Sequence, residues 1–308
     1  MKHLLLICIS LFISIGAFSQ KISKEFNLDK FRFLSVSSGF EVYISQGEEQ
    51  SVKLEYDSNI EEYLKVGVVN NTLRISVENK SVFKRFKRSH IRKAFIVIKN
   101  LESVDISGGG SLNMDEFMLN DFKISLSGGG NINLNAESEN LRCSLSGGGN
   151  INLKGRTRDL KLIISGGGDI FLKQQLDNAR MSISGGGNAN VFCVNANSII
   201  ARMTGGGAFN GKIKLSILDL KLSGGGSALL EGHVKNMNIG MSGGGDVEAK
   251  NFETEYCNIR LAGGGDAEVY ASKKISVSVS GGGDIKCYGK PDEIIKRLSG
   301  GSKLKMIK

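Results

Sequence analysis

The chain has 308 residues, 40 Lys and Arg against 31 Asp and Glu for a formal net charge of +9, and 41 glycines beside a single proline. That length holds two average domains or one long repeat array. After the first twenty residues no stretch reaches the roughly 18 continuous apolar residues of a membrane-crossing helix, which excludes a helical membrane protein.

The first element, residues 1–19, opens MKHLLLICISLFISIGAFSQ. Lys2, an apolar run from Leu4 to Ile15 and the small residues Ala17 and Ser19 predict a secretory signal. Cys8 lies inside the apolar run and not at the cleavage point, so no lipid-modified N-terminus is expected. The expected location is periplasmic, on the outer-membrane surface or extracellular.

Residues 20–107 read as a less regular N-terminal β region with the first coils. LSVSSGFEVYI, from Leu34 to Ile44, carries alternating apolar residues around Ser37-Ser38-Gly39, and SVKLEY, LKVGVV and TLRISVEN alternate in the same way. Alternation of period two predicts strands with one buried face. Between the last of these and the next strand lies KSVFKRFKRSHIRK. It places Lys80, Lys84, Arg85, Lys87, Arg88, Arg92 and Lys93 among Val82, Phe83, Phe86 and Ile91, with no acid. Such a segment is a candidate site for a polyanionic glycan, a lipid headgroup or another polyanion; its plain alternative is a solvated loop.

From residue 108 to 308 the chain repeats. Glycine triplets begin at Gly108, Gly128, Gly147, Gly166, Gly185, Gly205, Gly224, Gly243, Gly263 and Gly281, and Gly300-Gly301-Ser302 ends the series. The second, fourth and sixth places before each triplet are apolar, as in Phe122, Ile124 and Leu126, and the alternation resumes after it, as in Ile132 and Leu134. A unit of about 19 residues cannot bury its own apolar face, but stacked copies share a core. The expected fold is all-β, a β-solenoid of about eleven glycine-cornered coils. Each coil is read as strand, corner, strand and a looser polar turn, with an aberrant last coil after Pro291 as a cap. Cys143, Cys193, Cys257 and Cys287 all fall on inward places of different coils, which predicts packed free thiols instead of disulfides.

Three stretches resemble the head GIN domain family of putative auto-transporter adhesins: FNLDKFRFLSVSSGFEVYISQGEEQSVKLEYD, FIVIKNLESVDISGGGSLNM, and the G-x-P segment from Gly289 to Pro291. The resemblance covers nearly all of the chain beyond the signal. It implies an exported protein of a Gram-negative bacterium with an all-β, helix-like fold, and it implies no established activity. This chain has more regular coils than the usual member.

Chemistry-bearing motifs are few. A phosphate-cradling glycine loop leads into a helix and carries a lysine, whereas here a strand follows every triplet, so the glycines are read as corners. The residue after the triplet forms a column of Asn, Asp and Ser in which stacked amides are expected to bond. Its late members Asp246, Asp266 and Asp284 form a candidate, though disfavoured, Ca²⁺ column. No cofactor, nucleic acid or transmembrane segment of the exported chain is expected, and no catalytic spacing of Ser, His and Asp appears. The favoured reading is a non-enzymatic adhesin or cell-envelope interaction module whose partner is envelope polysaccharide, a lipid headgroup or a surface protein. The alternative is a carbohydrate-active β-helix enzyme, a lyase or hydrolase.

Overall fold

A computed structural model describes residues 20–78 and 91–307. The signal segment and most of the basic segment lie outside the described residues. The chain is about 75% strand, with almost no helix. The N-terminal elements are β1 (Lys21–Glu25), β2 (Phe33–Val36), β3 (Glu41–Gln46), β4 (Ser51–Asp57), a 3-10 turn at Ser58–Tyr63, β5 (Leu64–Val69), β6 (Thr72–Val77), β7 (Arg92–Ile98) and β8 (Ser103–Ser107). The regular part is β9 (Ser111–Ser127), β10 (Ile132–Gly147), β11 (Ile151–Gly166), β12 (Ile170–Gly185), β13 (Ala189–Gly205), β14 (Ala208–Gly224), β15 (Ser227–Gly243) and β16 (Val247–Gly263). The last coils are β17 (Ala267–Tyr270), β18 (Lys274–Gly281), β19 (Ile285–Tyr288), β20 (Glu293–Ser299) and β21 (Leu304–Ile307).

The strands stack in parallel as a β-solenoid of about eleven turns. Ile132 of β10 pairs with Leu112 below and Ile151 above, and Leu145 pairs with Leu126 and Ile164, so inward columns stay aligned from coil to coil. In β10 the inward residues are Ile132, Leu134, Ala136, Ser138, Leu141, Cys143 and Leu145, all buried. Each buried aliphatic side chain contributes roughly 1.5–3 kcal/mol, which only the neighbouring coils make available.

The glycine corner has a steric logic that differs among its three places. Gly147 has φ +131°, and a Cβ there would strike the carbonyl of Gly128 one coil below. A Cβ on Gly149 would strike the carbonyl of Gly130, while one on Gly148 would meet open space. The backbone of one corner therefore rests directly on the backbone of the next at the first and third places; the third glycine is buried and the middle one is exposed.

The looser turn expected opposite the corner is a bend within a continuous strand of 16 or 17 residues. Coil length varies there and nowhere else. The intervals from Gly108, Gly185 and Gly243 to the next triplet are 20 residues and that from Gly263 is 18, against 19 elsewhere. In the three longer coils the register shifts fall after Met114, after Val194 and after Glu248, and Glu116 and Asn195 take φ of +53° and +66° to absorb the extra residue.

The N-terminal region joins the same stack out of chain order. β2 and β3, joined by the Ser37-Ser38-Gly39 corner, lie between β6 and β7 on one side and β8 and β9 on the other, with Val36 paired to Ile75 and Ile106. Leu34 to Ile44 is thus a true coil whose corner rests on Gly108. β4 runs antiparallel to β7, β1 to β4 and β5 to β6, covering this end of the stack. At the other end Lys296 occupies the inward column of Val277 and is exposed, and a charge in an inward place discourages another coil from stacking.

The four cysteines beyond the signal segment are free and buried. Burial pushes the Cys143 thiol up to about 12 and that of Cys287 up to about 11, and raises Cys193 and Cys257 as well. Thiolates are the reactive form. Native protein is expected to resist a thiol-modifying reagent at pH 8, with four groups reacting only after denaturation; rapid reaction of folded protein would contradict the buried placement.

Candidate functional site: a basic track along the rod

The outward side chains form columns parallel to the rod axis, and on most of the surface these columns are internally satisfied. After the corner, the Asn131, Asn150, Asp169 and Asn188 side-chain oxygens each accept the backbone N–H of the same place one coil on, at 2.8–3.2 Å. Asp246, Asp266 and Asp284 continue this pattern toward Asp266, Asp284 and Lys303, at 2.9, 2.7 and 2.9 Å. The column is a run of backbone caps, and each aspartate has one oxygen committed to the fold. Ala208 has no such oxygen, and the Ser227 N–H turns to the Gly207 carbonyl instead. Among the described residues no group of three or more His, Cys, Asp or Glu is placed to hold a metal. Amide-to-amide bonding occurs two places further on, in Asn113, Asn133 and Asn152 at 2.9 and 2.8 Å.

Charges on the remaining columns mostly alternate in sign. Arg158 meets Glu139 at 3.1 Å, Lys273 meets Glu255 at 2.6 Å and Lys274 meets Glu293 at 2.9 Å. Glu268 lies between Lys250 and Lys286, and the hydrogen bond from Lys286 holds its carboxyl below the usual range.

The face before the corner breaks this rule. Lys123, Arg142, Lys161 and Arg180 stand directly over one another on successive coils. The track then steps one column toward the corner and continues through Arg202, Lys221 and, across Gly240, Arg260. All seven are exposed, and none has a carboxylate within ion-pairing distance among the described residues. Strands stack about 4.8 Å apart, so the track is about 34 Å long. Like charges directly opposite one another on adjacent strands are destabilising. Asp121 and Asp159 border the track, but their carboxylates accept from the amides of Asn140 and Asn178 at 2.6 and 2.9 Å.

Of the seven basic residues in the segment from Lys80 to Lys93, five (Lys80, Lys84, Arg85, Lys87, Arg88) lie outside the described residues. The structure places Arg92 and Lys93 in β7 as parts of the fold. Arg92 is half-buried and its Nη1 donates to the Ser38 carbonyl at 2.6 Å, bracing the first corner. Lys93 sits 3.5 Å from Glu41 and 5.8 Å from the centre of the Tyr43 ring. Because β6 and β7 pair with β2 and β3, the end of β6 at Val77 and the start of β7 at Arg92 flank the corner side of the coil formed by β2 and β3. That is the side along which the basic track runs. Aligning the triplets in the sequence already puts Lys123, Arg142, Lys161, Arg180, Lys221 and Arg260 on outward places before the corner; the register of the coils adds Arg202 and shows that they form one track with no facing carboxylate among the described residues.

Parallel coils, glycine corners resting on one another and capped outward columns define a glycine-cornered β-solenoid. The profile of the family described as "Putative auto-transporter adhesin, head GIN domain" matches residues 30–205 and, in a second overlapping stretch, 193–291. The chain belongs to that family, whose description is that of adhesin-like exported proteins. No curated protein matches it. Similar solved structures include a putative adhesin from Parabacteroides merdae (15% identity, TM-score 0.42, covering 94% of this chain and 97% of that one). Another is a putative lipid binding protein from Parabacteroides distasonis (17% identity, TM-score 0.38, 94% and 97%). A third is a putative adhesin from Bacteroides fragilis (18% identity, TM-score 0.32, 94% and 97%). No helix among the described residues is long and apolar enough to cross a membrane.

Proposed function

We propose that this protein is a non-enzymatic adhesion module of the cell envelope that holds polyanionic glycan along one side of a rigid rod. The observation that carries this reading is the stack of exposed Lys and Arg on the face before the corner, with no carboxylate in ion-pairing distance among the described residues, whereas Arg158, Lys273, Lys274 and Lys286 elsewhere stand against carboxylates. A bound polyanion relieves the repulsion within the stack, and an extended row of cations suits an extended anion. His233, the one histidine among the described residues, pairs with Glu253 at 3.7 Å in the open, an arrangement that favours binding over catalysis.

The test uses immobilised uronate-containing, sulfated and neutral polysaccharides. Wild type is compared with a variant carrying Lys123→Ser, Arg142→Ser, Lys161→Ser and Arg180→Ser, and with one carrying serine at Lys80, Lys84, Arg85, Lys87 and Arg88. Serine already stands in the track column at Ser103 and Ser276, so the fold accommodates it. Binding to the acidic polymers is expected to weaken with salt and to fall roughly ten- to a hundred-fold in the four-residue variant. Equal binding to neutral polymer, no change on substitution, or the release of new reducing ends or unsaturated products would each overturn the reading.

A further inference from the structure

The outer column that holds Arg202, Lys221 and Arg260 has one gap. In register, Gly240 stands between Lys221 and Arg260, where neighbouring coils carry long cationic side chains. Nothing in the backbone asks for glycine there. Its φ is not positive, and an added Cβ would meet only Lys221 Cγ at 3.6 Å, an ordinary contact. A glycine inside a strand weakens the strand and often marks close approach of a ligand or another backbone. Here the missing side chain opens a groove of about 480 Å³ bordered by Arg202, Lys221 and Arg260 and by the hydroxyl residues Ser223, Ser242 and Ser278. Ser242 Oγ donates to Ser223 Oγ at 3.1 Å, which lines two hydroxyls along the groove.

We infer that this notch is a specific subsite for the carboxylate or sulfate of an acidic sugar, within a linear polysaccharide lying parallel to the rod axis. The inference rests on the polyanion reading above and narrows it. Cations on both sides of the gap give charge-assisted hydrogen bonds to an anionic oxygen, and serine hydroxyls both donate to and accept from sugar hydroxyls. The columns repeat once per coil along the axis, a spacing close to the advance of one residue in an extended pyranose chain. A single strand of polysaccharide can therefore keep its charged groups beside successive coils. A lipid surface would call for large exposed apolar residues beside the cations, whereas Met203, Leu222, Met241 and Leu261 line this groove from buried places and its exposed outward side chains are basic, hydroxylic or, at Ala262, a single methyl.

The decisive variant is Gly240→Val, which fills the notch without removing a charge. A β-branched residue suits an exposed strand position, so folding is expected to be unchanged or improved, with thermal melting as the control. The full chain and this variant are titrated calorimetrically with oligosaccharides of a uronate polymer, of a sulfated polymer and of a neutral polymer, and separately with vesicles containing anionic lipid. Affinity for one or both acidic oligosaccharides is expected to fall about tenfold or more in Gly240→Val, the loss of a charge-assisted contact set, and the two acidic arms tell carboxylate from sulfate. Wild-type affinity in Gly240→Val while the four-residue track variant has lost binding sinks the notch and leaves the polyanion reading standing. Unchanged binding in both variants sinks both. Binding to anionic vesicles with none to the oligosaccharides overturns the assignment of a sugar.

Discussion

Gly149→Ala is expected to lower stability by about 3–5 kcal/mol, in the far tail of single substitutions, while Gly148→Ala one residue earlier changes it by no more than about 0.5 kcal/mol. The reason is contact of backbone with backbone. A methyl group at Gly149 would occupy the space of the Gly130 carbonyl oxygen, and a carbonyl in a parallel ladder has no rotamer to escape into. Relief requires two corners to separate, which disturbs the hydrogen bonds on both sides. At Gly148 there is only solvent. Far-UV circular dichroism during urea denaturation measures the difference. Equal destabilisation by the two alanines would show that the corners do not stack as described. Because coils couple mainly to their neighbours, the damaged variant is expected to lose structure around residues 128–168 first and to broaden its transition.

Deleting residues 147–165, one whole coil, is expected to leave a folded rod shorter by about 4.8 Å, with a modest fall in denaturation midpoint. The join would bring Gly166 directly after Ser146 and set β10 against β12. Ile132 would then meet Ile170, Leu134 would meet Leu172, Cys143 would meet Met181 and Leu145 would meet Ile183, all residues already in shared inward columns. Removing only residues 147–156 takes away the corner and the start of β11 but leaves its remainder. No register then aligns both the corners and the inward columns, and a one-residue slip already turns every buried side chain outward. That shorter deletion is expected to yield no cooperative unfolding transition. A folded product from the shorter deletion, or an unfolded one from the longer, would contradict a stack of independent, in-register coils.

The glycine period made the coils, the inward columns and the buried cysteines legible, because every copy repeats the same steric demand. The bend opposite the corner was less so. Its glycines, Gly155, Gly232 and Gly289, have positive φ but recur irregularly, and other coils solve the same bend without glycine. The order β6, β2, β8 was hidden as well, since parallel neighbours in a stack need not be neighbours in the chain. In the column after the corner the residue types were apparent, but the expected side-chain bond up the column occurs only from the Asn188 amide to Asp169, at 3.0 Å. The acceptor oxygens serve backbone N–H groups, and the amide ladder sits two residues on. Arg92 and Lys93 looked like the end of a solvated basic run because composition does not distinguish a loop cation from one at the start of a strand; their contacts with Ser38 and Glu41 arise from pairing across more than fifty residues.

The restriction of length changes to the bend gives the rod two unlike meridians. Along the corner, each coil is indexed by the carbonyl beneath it, so the advance per turn is held constant over the whole stack. Along the bend, one residue gained or lost dies out within the same turn and is not passed on. An insertion made near Glu116 or Asn195 would project from the rod without rotating anything downstream, and a cargo loop grafted there would leave the spacing of the opposite face intact. The molecule can thus be decorated on one side while it keeps a fixed ruler of side chains on the other.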